Sequence, residues 1–259
     1  AGSAGGDDLY VEDVLSTFLY TGNGSTQTIT NGIDLAGEGG LVWIKNRDAT
    51  DGHVLTDTIR GVGKVLSSDS TAAEATNADT TTAFNSDGFS IGADVLVNTD
   101  TEDYVSWSFR KAEKFFDIVT YTGTGDSAPG QTVAHNLGST PGFMIIKRTD
   151  TTSDWSCYHS GLTSNEYYLK LNNTSAETED GTVFPSAPTD SNFYVRADRV
   201  NASGGTFVAY LFASDAGGFG DDDENIIKCG SVATAWSAVE VNVGFEPQFV
   251  IAKVADRTD

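Results

Sequence analysis

One string in the chain has the spacing of a catalytic motif. Gly88-Phe89-Ser90-Ile91-Gly92 matches the G-x-S-x-G elbow, in which a strained strand-to-helix turn lifts a serine hydroxyl towards a histidine base. Here a β-like run, GADVLV, follows, and the matching place later in the chain holds Phe193-Tyr194-Val195, so the context argues against a nucleophilic Ser90. His53, His135 and His159 show no H-x-x-x-H spacing, and no cysteine completes a zinc pattern with them. All three read as turn or surface residues. Asp221, Asp222, Asp223 and Glu224 offer several carboxylate oxygens to a hard cation such as calcium. They lack EF-hand spacing, so a solvated linker is the primary reading and a metal site the alternative. Asp48, Asp51, Asp57 and Arg60 form either a polar loop network or a surface salt-bridge cluster. Trp155 and Tyr158, in SDWSCYH, are the rings that could stack on a sugar, set against core packing as the commoner fate of aromatics. No catalytic residue and no cofactor emerges.

Charge narrows the partners. The 15 Lys and Arg face 37 Asp and Glu, a formal charge of −22. The excess is even along the chain, so the surface as a whole is acidic. Such a surface repels nucleic acid and anionic membrane, and no basic patch stands against it. A saline environment would screen the self-repulsion. No apolar run is long enough to span a bilayer. Cys157 and Cys229 do not make a disulfide framework in a chain of 259 residues.

The elements that must position these residues recur. FLYTGNG from Phe18 corresponds to IVTYTGTG, and LVWIKNRD from Leu41 to FMIIKRTD; Lys45 and Lys147 are 102 residues apart. VNTDTEDYVSWSF (Val97–Phe109) aligns without a gap on VNASGGTFVAYLF (Val200–Phe212) at an offset of 103. A third copy opens near the end, where Gly244, Pro247 and Lys253 lie 106 residues after Gly138, Pro141 and Lys147. One period at several anchors identifies tandem modules. The divisions are a flexible lead-in over 1–16, modules over 17–115 and 116–215, a Gly/acidic linker over 216–225, and the start of a third module over 226–259. Short, punctuated strands without a long 3.6-residue period give an all-β fold of antiparallel β-sandwich modules, each about 100 residues, the third incomplete.

Finer expectations follow. LVWI reads as a strand buried on both faces and FVIAK (Phe249–Lys253) as its third copy. GADVLV reads as a strand, Ser67–Thr82 as an exposed excursion, and YYLKLN as a strand. Val105, Trp107 and Phe109 are placed on the core face, with Tyr104, Ser106 and Ser108 opposite. Phe115, Phe116 and Phe219 are expected to pack against neighbouring modules or chains.

The residues also resemble a family. GLVWIKNRDATDGHVLTDTIRGVGKVLSSDSTAAE, FNSDGFSIG and YVSWSFR are similar to a module of structural and tail-fibre-type proteins of tailed bacteriophages. IVTYTGTG, VAHNLGSTPGFMIIKR and NVGFEPQFVIAKVADRTD resemble its second and third copies. The resemblance implies a non-enzymatic virion protein, a spacer or host-surface-binding unit of a tail fibre or appendage. Capsid decoration or a head fibre is the alternative, then a polysaccharide-degrading tail enzyme or a bacterial adhesin. It further implies assembly in the host cytoplasm, without a Cys157–Cys229 disulfide, as a homo-oligomer (a trimer by analogy). Other virion proteins are the expected partners, with a host-surface glycan or protein as a further one and neither nucleic acid nor membrane insertion.

Overall fold

Two β-sandwiches of matching layout account for most of the computed structural model, which describes residues 9–221, 223–233 and 238–256. Repeat 1 begins with a helical turn, α1 (Val11–Val14). Strands β1 (Leu15–Thr21), β2 (Gln27–Thr30), β3 (Gly40–Asn46) and β4 (Val54–Asp57) follow. Then come β5 (Lys64–Val65), β6 (Ala75–Thr76), β7 (Thr81–Asn85), β8 (Gly88–Ile91), the turn α2 (Val95–Asn98) and β9 (Asp103–Arg110). Repeat 2 runs β10 (Phe116–Thr122), β11 (Gln131–Ala134), β12 (Phe143–Arg148), β13 (Ser156–His159), β14 (Tyr167–Lys170) and β15 (Thr178–Glu179). It ends with β16 (Asn192–Val195), α3 (Asp198–Asn201) and β17 (Thr206–Phe212).

Each repeat has a main sheet, β1-β9-β3-β4 or β10-β17-β12-β13-β14-β15, and a smaller one, β2-β8-β7 or β11-β16. Every pairing is antiparallel, and the registers correspond. Trp43 sits opposite Trp107 and Lys45 opposite Val105; in repeat 2, Ile145 is opposite Tyr210 and Lys147 opposite Val208. The apolar run Leu41–Ile44 is buried on both faces, because one face meets the small sheet and the other meets repeat 2.

The repeated Tyr-Thr-Gly signature has a structural cause. Tyr20 donates its hydroxyl to the Val97 carbonyl at 2.7 Å, and Tyr121 does the same to Val200 at 2.7 Å. At the next turn a Cβ on Gly22 would lie 2.1 Å from the Thr99 carbonyl oxygen, and one on Gly123 2.2 Å from that of Ala202. Only glycine fits so close an approach. Asn98 and Asn201, both fully buried, finish the corner. Asn98 Oδ1 accepts from the Asn23 amide at 2.8 Å and its Nδ2 donates to the Gly92 carbonyl at 2.7 Å. Asn201 Oδ1 accepts from the Thr124 amide at 2.9 Å and its Nδ2 donates to the Gly125 carbonyl at 2.7 Å.

Three cores result. One lies between the sheets of repeat 1, around Ile44, Phe89 and Tyr104, and one inside repeat 2, around Ile146, Phe193 and Phe207. The third lies between the two main sheets and joins Leu41, Trp43 and Phe109 to Phe116, Ile145, Trp155 and Tyr210. Phe115, Phe116 and Phe219 are all buried in this shared core, which agrees with the sequence reading. The repeats therefore pack broadside through their main sheets.

Several expectations need correction. Val11–Val14 is helical and Val14 is buried, so the lead-in is anchored from there and β1 begins at Leu15. GADVLV becomes a helical turn, because Asp94 caps it by accepting from the Leu96 amide at 2.9 Å. β9 is covered on both faces: Phe109 is buried in the shared core with Trp107 packed against it, as expected, but Tyr104, Ser106 and Ser108, expected on the face away from the core, are fully buried as well. Ser108 has a polar partner there, its Oγ accepting from Asn31 Nδ2 at 2.9 Å. FVIAK is no strand, and Val250 is 69% exposed. Its counterparts β3 and β12 each lie between two hydrogen-bonded neighbours, whereas no strand flanks residues 249–253 among the described residues.

Replacing Asn98 or Asn201 by Ala strands the amide and carbonyl groups its side chain satisfies. Each substitution is expected to cost about 2–3 kcal/mol, from the loss of net hydrogen bonds and burial of unpaired groups. Urea unfolding of the two single variants checks this, and the corner's repetition requires losses of similar size.

Candidate functional site

The junction between the main sheets holds a dense cluster of buried polar groups. Asp57 ends β4 and is wholly buried. Its Oδ1 accepts from the backbone amides of Ile59 at 3.0 Å and Arg60 at 2.9 Å. Its Oδ2 accepts from Arg60 Nε at 2.6 Å and from the Tyr210 hydroxyl of repeat 2 at 2.8 Å. Arg60 uses all five of its donors. Nη1 reaches the Lys64 carbonyl at 3.3 Å and Glu74 Oε2 at 3.1 Å. Nη2 reaches the Leu55 carbonyl at 3.1 Å and the Tyr210 oxygen at 3.1 Å. Burial opposes the Arg60 charge, but the Tyr210 oxygen, Asp57 and Glu74 around it raise its pKa above the ordinary value. Burial drives the Tyr210 hydroxyl well above the usual tyrosine range, so it stays a donor to Asp57.

Beside this cluster, repeat 1 lends a strand-like segment to repeat 2. The Glu74 amide donates to the Thr149 carbonyl at 2.9 Å, and the Ser153 amide to the Thr71 carbonyl at 2.9 Å. Lys147, fully buried, aims its ammonium at three carbonyls: Ser153 at 2.9 Å, Arg148 at 3.0 Å and, across the junction, Thr71 at 3.2 Å. Burial lowers its pKa to about 8, with Asp154 and Asp150 opposing that shift and Arg148 adding to it. Trp155 Nε1 donates to the Ser67 carbonyl at 2.9 Å and the Ser70 carbonyl at 3.1 Å.

The sequence-derived candidates fall as follows. Trp155 is completely buried and stacked on Tyr210 at 6.4 Å between ring centroids. Tyr158 lies in β13, buried edge-on to Phe184 at 5.8 Å. Neither ring offers a face to a sugar, and Ser156–His159 of SDWSCYH is a strand. Asp221 accepts from the Tyr10 hydroxyl and Asp223 from the Gly218 amide; Asp222 lies outside the described residues. No group of three or more His, Cys, Asp or Glu suited to a metal ion occurs among the described residues. Ser90 lies within β8, bonded to Thr28 Oγ1 at 3.1 Å and Asn85 Nδ2 at 3.0 Å, with no base at its hydroxyl. His135 is buried, a correction to its surface reading, and burial lowers the pKa of all three histidines. Both cysteines are free; burial raises Cys157 to about 12 and Cys229 to about 11.

Asp57 and Arg60 thus belong to a buried inter-repeat network, where sequence reading had left them in a loop or surface cluster. Sequence reasoning missed Glu74 and Tyr210 as their partners, and used Lys147 only as a marker of register. The available signal was a lysine recurring at the end of each apolar run, where a charge needs a reason. Chemically the junction clamps one repeat on the next.

A family model, described as Domain of unknown function (DUF7483), matches residues 11–259. No curated protein and no solved structure matches the chain.

Arg60→Met leaves the Asp57 carboxylate buried without its cation, and urea unfolding is expected to show a loss of about 3–5 kcal/mol. Tyr210→Phe removes one donor from Asp57 and is expected to cost about 1–3 kcal/mol. Lys147 supplies a pH signature. Its folded pKa, about 8, lies below the unfolded lysine value of about 10.4, so the unfolded chain binds the extra proton between them. Its contribution therefore rises with pH across that window. The stability difference between wild type and Lys147→Met is expected to grow from pH 8 to 10.4; a flat difference would show that the ammonium is not confined.

Proposed function

The chain belongs to the DUF7483 family, and we propose that it serves as a non-enzymatic structural component of a tailed-bacteriophage virion. In this reading it is a spacer or host-surface-binding unit in a tail fibre or related appendage. The observation that carries it is the junction itself. The buried polar groups of the junction, Asp57, Arg60, Lys147 and Tyr210, are consumed in holding repeat to repeat. Tandem modules suit such a part because size grows without enlarging any single core. The resemblance of the GLVWIK and FMIIKR repeats to modules of phage structural proteins supplies the setting, by analogy. The surface, with a net charge of −22, disfavours packing against nucleic acid. No helix among the described residues is long and apolar enough to cross a membrane.

Broadside packing favours a second reading. A spacer gains most length when modules meet end to end, whereas these share a core along their main sheets. That shape suits a compact knob, as in capsid decoration or a head fibre. Other virion chains are the proposed partners in both readings, with self-association into a trimer or another closed oligomer giving loose sheet edges a neighbour.

The test is mass spectrometry of purified particles of the encoding phage, followed by immunogold labelling with antibodies to this chain. Stoichiometric presence is expected, with label on the tail or the head separating the two readings. Absence from particles, or polysaccharide cleavage abolished by a single carboxylate substitution, sinks the proposal.

A further inference from the structure

The contact by which repeat 2 docks on repeat 1 occurs a second time. Glu177 donates its amide to the Ala255 carbonyl at 2.7 Å, as Glu74 does to Thr149 at 2.9 Å. Glu74 and Glu177 are 103 residues apart, and Thr149 and Ala255 are 106 apart, the two repeat offsets found in the sequence. Lys253 Nζ reaches the Asn173 carbonyl at 2.6 Å, within a residue of the position equivalent to Thr71, which takes Lys147. The opening of the third repeat thus sits on repeat 2 as repeat 2 sits on repeat 1, although residues 249–253 form no strand.

That rule leaves one place unfilled. In repeat 2 the face that receives the excursion is closed: Ile145, Lys147, Trp155, Val208 and Tyr210 are all at most 1% exposed. The matching positions of repeat 1 are more open, with Lys45, His53, Val105 and Trp107 only half-buried. Lys45 bonds to its own Asn46 and Ala49 carbonyls, at 2.6 and 3.1 Å, and among the described residues to none from another repeat. A cleft of about 500 Å³ lies here, between Trp43, His53, Asp69 and Trp107 on one side and Leu171 and Phe249 on the other. The third repeat already borders it. Phe249 packs on Trp107 and Phe109, each at 5.3 Å, and on Trp43 at 6.1 Å, and Thr17 Oγ1 donates to the Gln248 carbonyl at 3.3 Å. In an open row the third repeat would not touch the first.

We propose that the Trp43–Lys45–Trp107 face of repeat 1 is a docking site for a segment with the chemistry of the Ser67–Glu74 excursion, held on repeat 1 as residues 71–74 are held on repeat 2. The occupant is an extended segment of small and acidic residues, like Ser67–Glu74. It offers a carbonyl to Lys45 and an amide to the Arg47 carbonyl, the counterpart of Thr149. A second copy of the chain is a poor source, because both of its excursions are engaged, 71–74 with 147–153 and 173–177 with 253–255.

The test compares the 259-residue chain with one lengthened after Asp259 by a copy of residues 154–213, which completes the third repeat in register. Acetylation read by mass spectrometry is expected to modify Lys45 at least tenfold more slowly in the lengthened chain, approaching Lys147. Should the graft not fold, the synthetic peptide LSSDSTAAEATN, residues 66–77, is added at millimolar concentration to the 259-residue chain with the same readout. Lys45 protection in either form supports the docking site. Unchanged Lys45 labelling in both overturns it. So does protection of the 259-residue chain that rises with its own concentration alongside a dimer mass by light scattering, because the occupant is then a second copy.

Discussion

An ammonium group taken out of water must be surrounded by oxygen, and in this fold that demand is met by backbone carbonyls. Lys147 is fully buried, and the three carbonyls that satisfy it come from two repeats. Carbonyl dipoles compensate a cation incompletely, which is why burial pulls its pKa down to about 8. An uncompensated buried charge costs several kcal/mol, so repeat 2 reaches its full stability only with the Thr71 carbonyl in place. The junction is therefore part of the fold of repeat 2. The Asp57–Arg60–Tyr210 cluster reinforces it, since Tyr210 belongs to one sandwich and the ion pair to the other.

The apolar side of the junction follows the same economy. A sheet of this size has two faces, and in an isolated sandwich one of them meets water. Here the second face carries Leu41, Trp43 and Phe109 in one repeat and Phe116, Ile145 and Tyr210 in the other, and the two faces cover one another. Fully burying a large apolar side chain contributes about 1.5–3 kcal/mol, so the shared core outweighs any single polar contact. The polar clamp supplies what burial cannot, a fixed relative position of the sheets.

Much of this was legible in the sequence, for identifiable reasons. The all-β class, the period and the correspondence of one repeat with the next follow from alternation and from anchors that repeat at 101–103 residues. Phe115, Phe116 and Phe219 stood out because phenylalanine at a module boundary has to go somewhere. The burial of the second face of β9 was not legible. Ser106 and Ser108 look like surface residues, and Ser108 finds a polar partner in the core on Asn31, 77 residues away. Asp57 and Arg60 were visible as a pair, but their burial depends on Tyr210, 150 residues beyond Arg60. Trp155 was left between a sugar platform and a core residue because the segment that covers it, Ser67–Ser70, lies in the other repeat. Nothing local announces such a cover.

The excursion of repeat 1 points forward along the chain, towards residues the ribosome has not yet made. About 75 residues separate Glu74 from Thr149, and at roughly 5–20 residues per second that is about 4–15 s of translation. During that interval the first sandwich can close its inner core, while its outer face and its lent segment remain in solvent. Each repeat in turn becomes the template on which its successor settles. Assembly of the chain is therefore directional, and the order of synthesis is also the order in which its surfaces leave water.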